Sequence, residues 1–380
     1  MTDLSRLSMA PSLLPSAAAA LIWTATLLLP WRPWRNGEIL EPSPDAPASS
    51  DEITVLIPAR DEAEVIQSTL EGLAQQGGSP RVILVDDGSS DGTADLASQV
   101  PGLDLSVLAG APLPEGWSGK LWALEQGLRK VETPYTLLLD ADIHLAPGML
   151  AALLERMRVG PVFVSLMASL RMETFWEKLL MPAFIYFFKQ LYPFRLANSA
   201  NPRFASAAGG CILVETGVLR ELGGFDAIRG AIIDDCTLAA KVKQAGYRTW
   251  TGQSHGVVSL RGYGDLEPIW EMVARTAFTQ LRYSITLLAT CTFLMVLMFW
   301  GPVAGLAAAD PMARSLSALG LAGMLVAYLP TLNFYRRNPL WALAMPVIAS
   351  LYLAMTWTSA LRYWRGERSR WKNRVYSREA

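Results

Sequence analysis

Three pairs of carboxylates punctuate the middle of the chain: Asp86 and Asp87 in VILVDDGSSDGT, Asp140 and Asp142 in TLLLDADIHL, and Asp234 and Asp235 in AIIDDCTLAAK. The first two close short apolar runs, so acidic groups stand where buried strands must end, and a lone carboxylate cannot serve an apolar core. Oxygen-rich strand ends suit a hard divalent cation, Mg2+ or Mn2+, which shares carboxylate and phosphate oxygens. Asp140 and Asp142 can reach one ligand together only if their strand has begun to turn. Asp234 and Asp235 precede a helical stretch and fall at its cap and first turn. A carboxylate in that place can also take the proton of an attacking hydroxyl.

The elements that must position these groups alternate. ITVLIPA, RVILVDD, YTLLLDAD and VFVSLMAS read as strands, separated by helical EAEVIQSTLEGLAQQ, TADLASQV and KLWALEQGLRKV, with PGMLAALLERMR preceding the last strand. Such alternation implies crossover units and a parallel sheet, whose ligand crevice lies outside the carboxyl ends of the strands. Arg60, Asp86, Asp87, Asp140 and Asp142 all fall there. Pro58 ends the first ladder, and Ala59, Arg60 and Glu62 continue the turn, whose N–H groups can meet an anion or a base edge. Asp91 reads as the N-cap of the next helix. Lys120, just inside a helix start after Gly116 and Gly119, can face a phosphate or simply water. Gly209, Gly210, Gly223 and Gly224 would allow a ligand close, although turn geometry explains them equally well.

Composition places part of the chain outside water: 51% of residues are hydrophobic and 13 are Trp. Leu13 to Leu29 is an apolar run ended by Trp31, Arg32, Trp34 and Arg35, about long enough for a bilayer core of about 30 Å. A secretory signal is the rival reading, since Arg6 precedes the run. Ile285 to Ala309, Leu316 to Phe334 and Leu340 to Leu361 follow as further apolar stretches, the last broken by Pro346. The expected layout is an anchor over 1–35, a linker over 36–52, a soluble domain over 53–283, a membrane domain of two or three spans over 284–363, and a basic tail over 364–380. Residues 175–194 carry eight aromatics but also Glu177, Lys178 and Lys189, which suits an interfacial helix against the bilayer. The tail conflicts with the positive-inside rule if all three stretches cross.

Net charge is −1, and the basic clusters flank apolar segments, which fits anionic lipid headgroups rather than nucleic acid. Cys211, Cys236 and Cys291 lack metal or disulfide spacing. His144 and His255 form no ligand pair and read as strand or loop residues.

VLIPARDEAEVI, VDDGSSDGT, LDAD, and GGF followed by DDCTLAAK, in that order, resemble the family 2 inverting glycosyltransferases of the GT-A fold. GWSGKLWALEQGL, AAGGCILV, the DDCTLA form and the flanking membrane segments make the membrane-bound transferases associated with hopanoid biosynthesis the nearest group. The resemblance implies an α/β, Rossmann-like and mostly parallel catalytic sheet with helical transmembrane segments at both ends. It implies that the turn Pro58 to Glu62 lines a nucleotide pocket, that Asp86 meets the base, usually uracil, and that Lys120 contacts the donor's phosphates. It further implies that Asp142, with Asp140 towards the ribose or the metal's waters, holds Mg2+ or Mn2+, and that Asp235 is the general base. The Gln-x-x-Arg-Trp motif of processive synthases is missing. Arg275, Gln280 and Arg282, with Asp234, are candidates for diphosphate or acceptor contacts in its place, and transfer of one sugar is expected.

The expected activity is a multi-pass transferase of the bacterial inner membrane, catalytic domain cytoplasmic, moving sugar from a nucleotide-sugar donor, a UDP-sugar first, to a lipid acceptor. It would work beside other hopanoid or lipid biosynthesis proteins. Transfer to a polyprenyl phosphate and a non-catalytic sugar-lipid binding scaffold are the alternatives. A nucleotidyltransferase is disfavoured, because its glycine- and arginine-rich loop is missing.

Overall fold

A computed structural model describes residues 12–43, 50–78, 80–371 and 374–377, with backbone only from 368 onward. Arg6, the middle of the acidic linker, and Lys372 and Arg378 of the tail lie outside the described residues. The chain divides into two compact units, one of residues 37–171 and 192–262, the other of residues 1–36, 172–191 and 263–380.

The first unit is built on an eight-stranded sheet. In chain order its strands are β1 Ile53–Ala59, β2 Arg81–Asp86, β3 Asp104–Ala109, β4 Tyr135–Leu139, β5 Ile143–Leu145, β6 Phe163–Ser169, β7 Cys211–Glu215 and β8 Thr249–Ser259. Their spatial order is β3-β2-β1-β4-β7-β6-β8-β5. The β3-β2-β1-β4 half is parallel, β7 runs antiparallel to both β4 and β6, and β8 is parallel to β6. The reading of alternating strands and helices thus holds for the β3-β2-β1-β4 half, while the antiparallel insertion of β7 makes the sheet mixed. Pro58 does not end its ladder: it sits within β1 opposite Val85, and the strand continues to Ala59. Proline lacks only its N–H, and its carbonyl side still pairs.

Two apolar cores cover the two faces. Val55, Ile57, Val82 and Leu84 face one, Leu56, Ile83 and Val85 the other, as a period of two requires in strands buried on both sides. The helix Gly119–Leu128 lies so close to the sheet that a Cβ on Gly127 would sit 2.1 Å from Leu56 Cδ1 and 3.1 Å from Val85 Cγ2. Gly127→Ala is therefore expected to destabilise this unit by about 1–3 kcal/mol despite alanine's better helix propensity. Chemical denaturation of the purified chain would show it, and a stabilised variant would contradict the close packing.

Residues 38–43, expected as plain linker, run beside β8. Leu40 N–H donates to Gln253 carbonyl at 3.0 Å, Gln253 N–H to Glu38 carbonyl at 2.8 Å, and Ser43 N–H to Gly148 carbonyl at 3.1 Å. His255, on β8, pairs with Glu41 at 2.6 Å.

The second unit is helical. Three helices are long and apolar enough to cross a membrane: Ile285–Gly305, Pro311–Phe334 and Pro339–Trp364, with mean hydropathies of 1.9, 1.6 and 1.6. All three lie towards the C-terminal side. The span expected near the N-terminus is matched by a helix of 16 residues, Leu13–Leu28, about 24 Å long at 1.5 Å per residue and short of a hydrocarbon core of about 30 Å. Small residues let it approach Pro311–Phe334: a Cβ on Gly323 would meet Trp23 Cβ at 2.9 Å, and Ser317 Oγ lies 2.8 Å from Ser16 Oγ. Pro346 does not break the last stretch. A 3-10 turn over Pro339–Ala344 precedes an α-helix, Met345–Trp364, and Pro346 sits at its start, where no N–H is needed.

The aromatic-rich stretch forms one helix, Phe175–Leu191, opened by a capping box. Glu177 N–H donates to Thr174 Oγ1 at 3.3 Å, and Glu177 Oε2 accepts from Thr174 N–H at 3.0 Å. The other oxygen of this buried carboxylate accepts from Tyr263 N–H at 2.7 Å. The basic segment ends in an antiparallel pair, Glu367–Trp371 and Arg374–Ser377.

Candidate active site

At the carboxyl ends of β1 and β2 two turns are laced together. Asp61 adopts a left-handed φ of 50°, tolerable for Asp, and its carboxylate accepts from Ser90 N–H at 2.9 Å. In return Asp61 N–H donates to Ser89 Oγ at 2.9 Å, Glu62 N–H to Thr93 Oγ1 at 2.9 Å, and Ala63 N–H to Asp91 Oδ2 at 2.9 Å. Asp91 also accepts from Thr93 N–H at 3.1 Å, although the helix cap itself is Gly92. Asp86 accepts from Ser89 N–H at 3.3 Å and from the Ser89 hydroxyl. Arg60 donates to Asp87 carbonyl, lies 3.7 Å from the Asp87 carboxylate, and buries its Nε without a hydrogen-bond partner.

The second gathering lies past the end of β4. Asp140, on the turn that follows it, takes Lys120 from the start of Gly119–Leu128 at 2.8 Å. Lys120 also stands 3.6 Å from Asp234, the first residue of the helix Asp234–Gln244. Asp235 follows, its Oδ1 accepting from Cys236 N–H at 2.7 Å. The N-cap itself is Ile233, so both acids fall in the first turn, where Asp235 satisfies one amide and leaves its other oxygen towards the cluster. Gly209 closes the group: a Cβ there would lie 3.4 Å from Asp235 Oδ2 and 3.5 Å from Lys120 Nζ, so its missing side chain keeps the cluster open. Gly223 and Gly224 have another reason, their φ values of 88° and 60° in a turn packed on Glu125.

Three carboxylates share one lysine, and the electrostatics follow. Burial pushes Asp235 up to about 7, helped by the like charge of Asp234 and resisted by the Cys236 N–H and Lys120. Burial likewise raises Asp140, with Lys120 opposing and Asp142 reinforcing the shift. Burial alone would lower Lys120, but the charges of Asp140 and Asp234 win and hold it protonated. Apolar Leu124, Leu138, Ile212, Phe225 and Leu238 line the pocket behind the cluster, which sustains the low dielectric these shifts need.

Asp142 faces elsewhere. Its Oδ2 accepts from Arg261 Nε at 3.0 Å and from Ser259 Oγ at 3.4 Å, while Arg261 Nη2 donates to Glu62 at 2.9 Å and 3.1 Å. The turn that sends Asp140 and Asp142 to different partners is closed by Ile143 N–H donating to Asp140 carbonyl at 3.1 Å. Among the described residues no three His, Cys, Asp or Glu side chains form a ready metal-ligand group. Two carboxylates suffice for Mg2+ or Mn2+ when water and substrate phosphates complete the shell, and the all-oxygen donor set of Asp140 and Asp142 fits that chemistry.

Arg261, Asp61 and Ser89 were not legible as site residues from sequence. Ser89 and Asp61 carry a weak signal, as turn residues beside Asp86 and Arg60, but Arg261 has none, two positions beyond the end of β8, whose sequence TWTGQSHGVVS is largely polar. Arg275, Gln280 and Arg282 belong to the second unit, after the helix Leu266–Ala274, at the end of Ala277–Gln280, and beyond it with a φ of 51°. His144 Nδ1 donates to Ser68 carbonyl, 2.9 Å away, as a scaffold residue of β5.

Residues 54–223 match the family model described as Glycosyl transferase family 2. Over 145 residues the chain is 28% identical to 4,4'-diaponeurosporenoate glycosyltransferase of Staphylococcus haemolyticus, covering 38% of this chain and 36% of that protein. Over 174 residues it is 26% identical to undecaprenyl-phosphate 4-deoxy-4-formamido-L-arabinose transferase of Pseudomonas aeruginosa, covering 44% and 47%. The chain thus spans less than half the length of these curated relatives. Among solved structures, a mannosyltransferase from Pyrobaculum calidifontis in complex with GDP-Man and Mn2+ superposes with a TM-score of 0.50 at 21% identity, covering 91% of this chain and 99% of that one. That likeness is one of fold.

Proposed function

We propose that this chain, in which residues 54–223 form a family 2 glycosyltransferase domain of GT-A fold, transfers one sugar with inversion from a nucleoside-diphosphate sugar to a lipid at a membrane. The observation that carries the reading is the convergence of Lys120, Asp140, Asp234 and Asp235, drawn from three separate motifs, on one opening at the carboxyl ends of the strands. A core needs no such cluster, and its excess negative charge awaits a cation and a hydroxyl.

In this reading the laced turns at Asp61 and Ser90 hold a nucleoside, with the Asp86 carboxylate facing its base, uracil first, and Arg60 bracing the turn through Asp87. Lys120 stands where it can turn from Asp140 to the donor's phosphates. A divalent ion held by Asp142 and Asp140 would supply a counter-charge for the diphosphate that leaves. Asp235 takes the acceptor hydroxyl's proton as that oxygen attacks the anomeric carbon from the opposite face, and Gly209 leaves the acceptor room. Burial around Asp235 tunes the base to neutral pH, where it is strong enough to accept a proton and still substantially ionised.

The three helices long and apolar enough to cross a membrane support a membrane protein, by our reading one of the bacterial inner membrane with the catalytic unit cytoplasmic. The two curated relatives are named for 4,4'-diaponeurosporenoate and undecaprenyl phosphate, which supports a lipid here. Within that class we favour a hopanoid, on the motif forms GWSGKLWALEQGL and DDCTLA. Mass spectrometry of membrane lipids from cells with and without the gene is the test. A glycosylated hopanoid lost with the gene and restored by the purified chain with UDP-sugars is expected; an unchanged lipid profile together with no donor turnover by the purified chain would sink the reading.

A further inference from the structure

The Arg261 guanidinium occupies the ground between two half-buried carboxylates from different motifs, Asp142 and Glu62, at 3.0 Å and 2.9 Å. It is the more exposed partner, at 38% against 13% and 12%. Its contacts are divided: Nε goes to Asp142, and Nη2 goes to both Glu62 oxygens. A planar fork spread over two acids holds each more weakly than a bidentate pair would. It can leave Asp142 without losing Glu62. Asp142 is also the carboxylate assigned to the divalent ion, and a guanidinium 3.0 Å from its Oδ2 puts a positive charge beside the oxygens that ion would take, so the two cations repel.

We propose that Arg261 is the resident counter-cation of Asp142, competing with the divalent ion and yielding only when a diphosphate draws the guanidinium away. The inference rests on the metal reading of Asp142 given above. Its consequence is coupling: metal alone meets a carboxylate already neutralised, whereas metal arriving with a diphosphate finds Arg261 re-engaged on phosphate oxygens, which suit its fork equally well. Arg261 is then a positioning residue that makes donor and metal bind together. The arrangement keeps an empty site from collecting stray cations.

The test measures free Mn2+ by electron paramagnetic resonance, using the full chain in detergent micelles. Wild type should bind Mn2+ alone weakly, and UDP, GDP or inorganic pyrophosphate should tighten it by about tenfold or more, the scale of one charge-assisted hydrogen bond. Arg261→Gln should bind Mn2+ alone about tenfold or more tightly than wild type and respond much less to the diphosphate. Arg261→Lys, which keeps the charge, should stay near wild type, so a general loosening of the fold cannot mimic the result. Adding Asp142→Asn to Arg261→Gln should erase the gain. Equal Mn2+ affinity in wild type and Arg261→Gln, with binding still abolished by Asp142→Asn, overturns the competition and leaves the metal reading standing. Absence of Mn2+ binding under every condition overturns the metal reading itself. Should Arg261→Gln not fold, the wild-type arm decides: Mn2+ affinity indifferent to all three diphosphates refutes the coupling.

Discussion

Asp235→Asn is expected to lower kcat by about 10²–10⁴, the usual contribution of a positioned general base, with little change in the donor's KM. The amide keeps the shape and can still accept from Cys236 N–H, so the loss isolates proton transfer from packing. Wild-type kcat should climb as pH rises through about 7, because the base must be ionised and burial raises its pKa to that region. In the variant this limb should vanish. Stability runs the other way. The carboxyl's pKa is about 3.9 in an unfolded chain and about 7 here. This carboxyl's contribution therefore favours the native state most below about pH 4 and is lost as pH rises through 7. In metal-free buffer Asp235→Asn should accordingly be the more heat-resistant protein at pH 8, with no gain at pH 4, by thermal unfolding of both chains. Turnover near the wild-type rate would point instead to an acceptor already ionised, such as a polyprenyl phosphate, which needs no base.

How much of this was legible beforehand differs between the halves of the sheet. β1, β2 and β4 announce themselves because each is a short apolar run buried on both faces, closed by an acid or a turn. β3, DLSVLA, is an edge strand with little burial and therefore little pattern. β7 reverses direction, which no periodicity records: an alternation of apolar residues is the same read either way. The acids at strand ends were legible for the same reason the strands were, since a carboxylate abutting a buried run has no structural excuse. Their partners were not. Lys120 could be suspected from its place at a helix start, whereas the pairing of Arg261 with Asp142 and Glu62 is long-range and arises only when β8 folds back beside β5. Helix lengths in the second unit depend on capping and packing as much as on hydropathy, which is why Leu13–Leu28 stops short and Pro346 opens a helix rather than breaking one.

Asp142→Asn should reduce kcat/KM by about 10²–10³, corresponding to about 3–4 kcal/mol of lost charge stabilisation on the leaving diphosphate. Structural damage is a poor competing explanation. The amide oxygen can still accept from Arg261 and Ser259, and Arg261 remains anchored on Glu62. What the substitution removes is one formal charge at the end of β4. The companion Asp140→Asn separates the two roles. Asp140 holds Lys120 at 2.8 Å, so its loss should release that lysine towards Asp234 and shift the donor's KM as well as the metal requirement. Asp142→Asn should chiefly raise the Mn2+ concentration needed for half-maximal turnover, and excess Mn2+ should restore part of the rate. Two variants two positions apart should thus fail differently because the turn after Leu139 sends one carboxylate to a lysine and the other to an arginine. If both raised the Mn2+ requirement alike and left donor KM alone, the two acids would be acting as one metal clamp, and the division of labour drawn from their partners would be wrong.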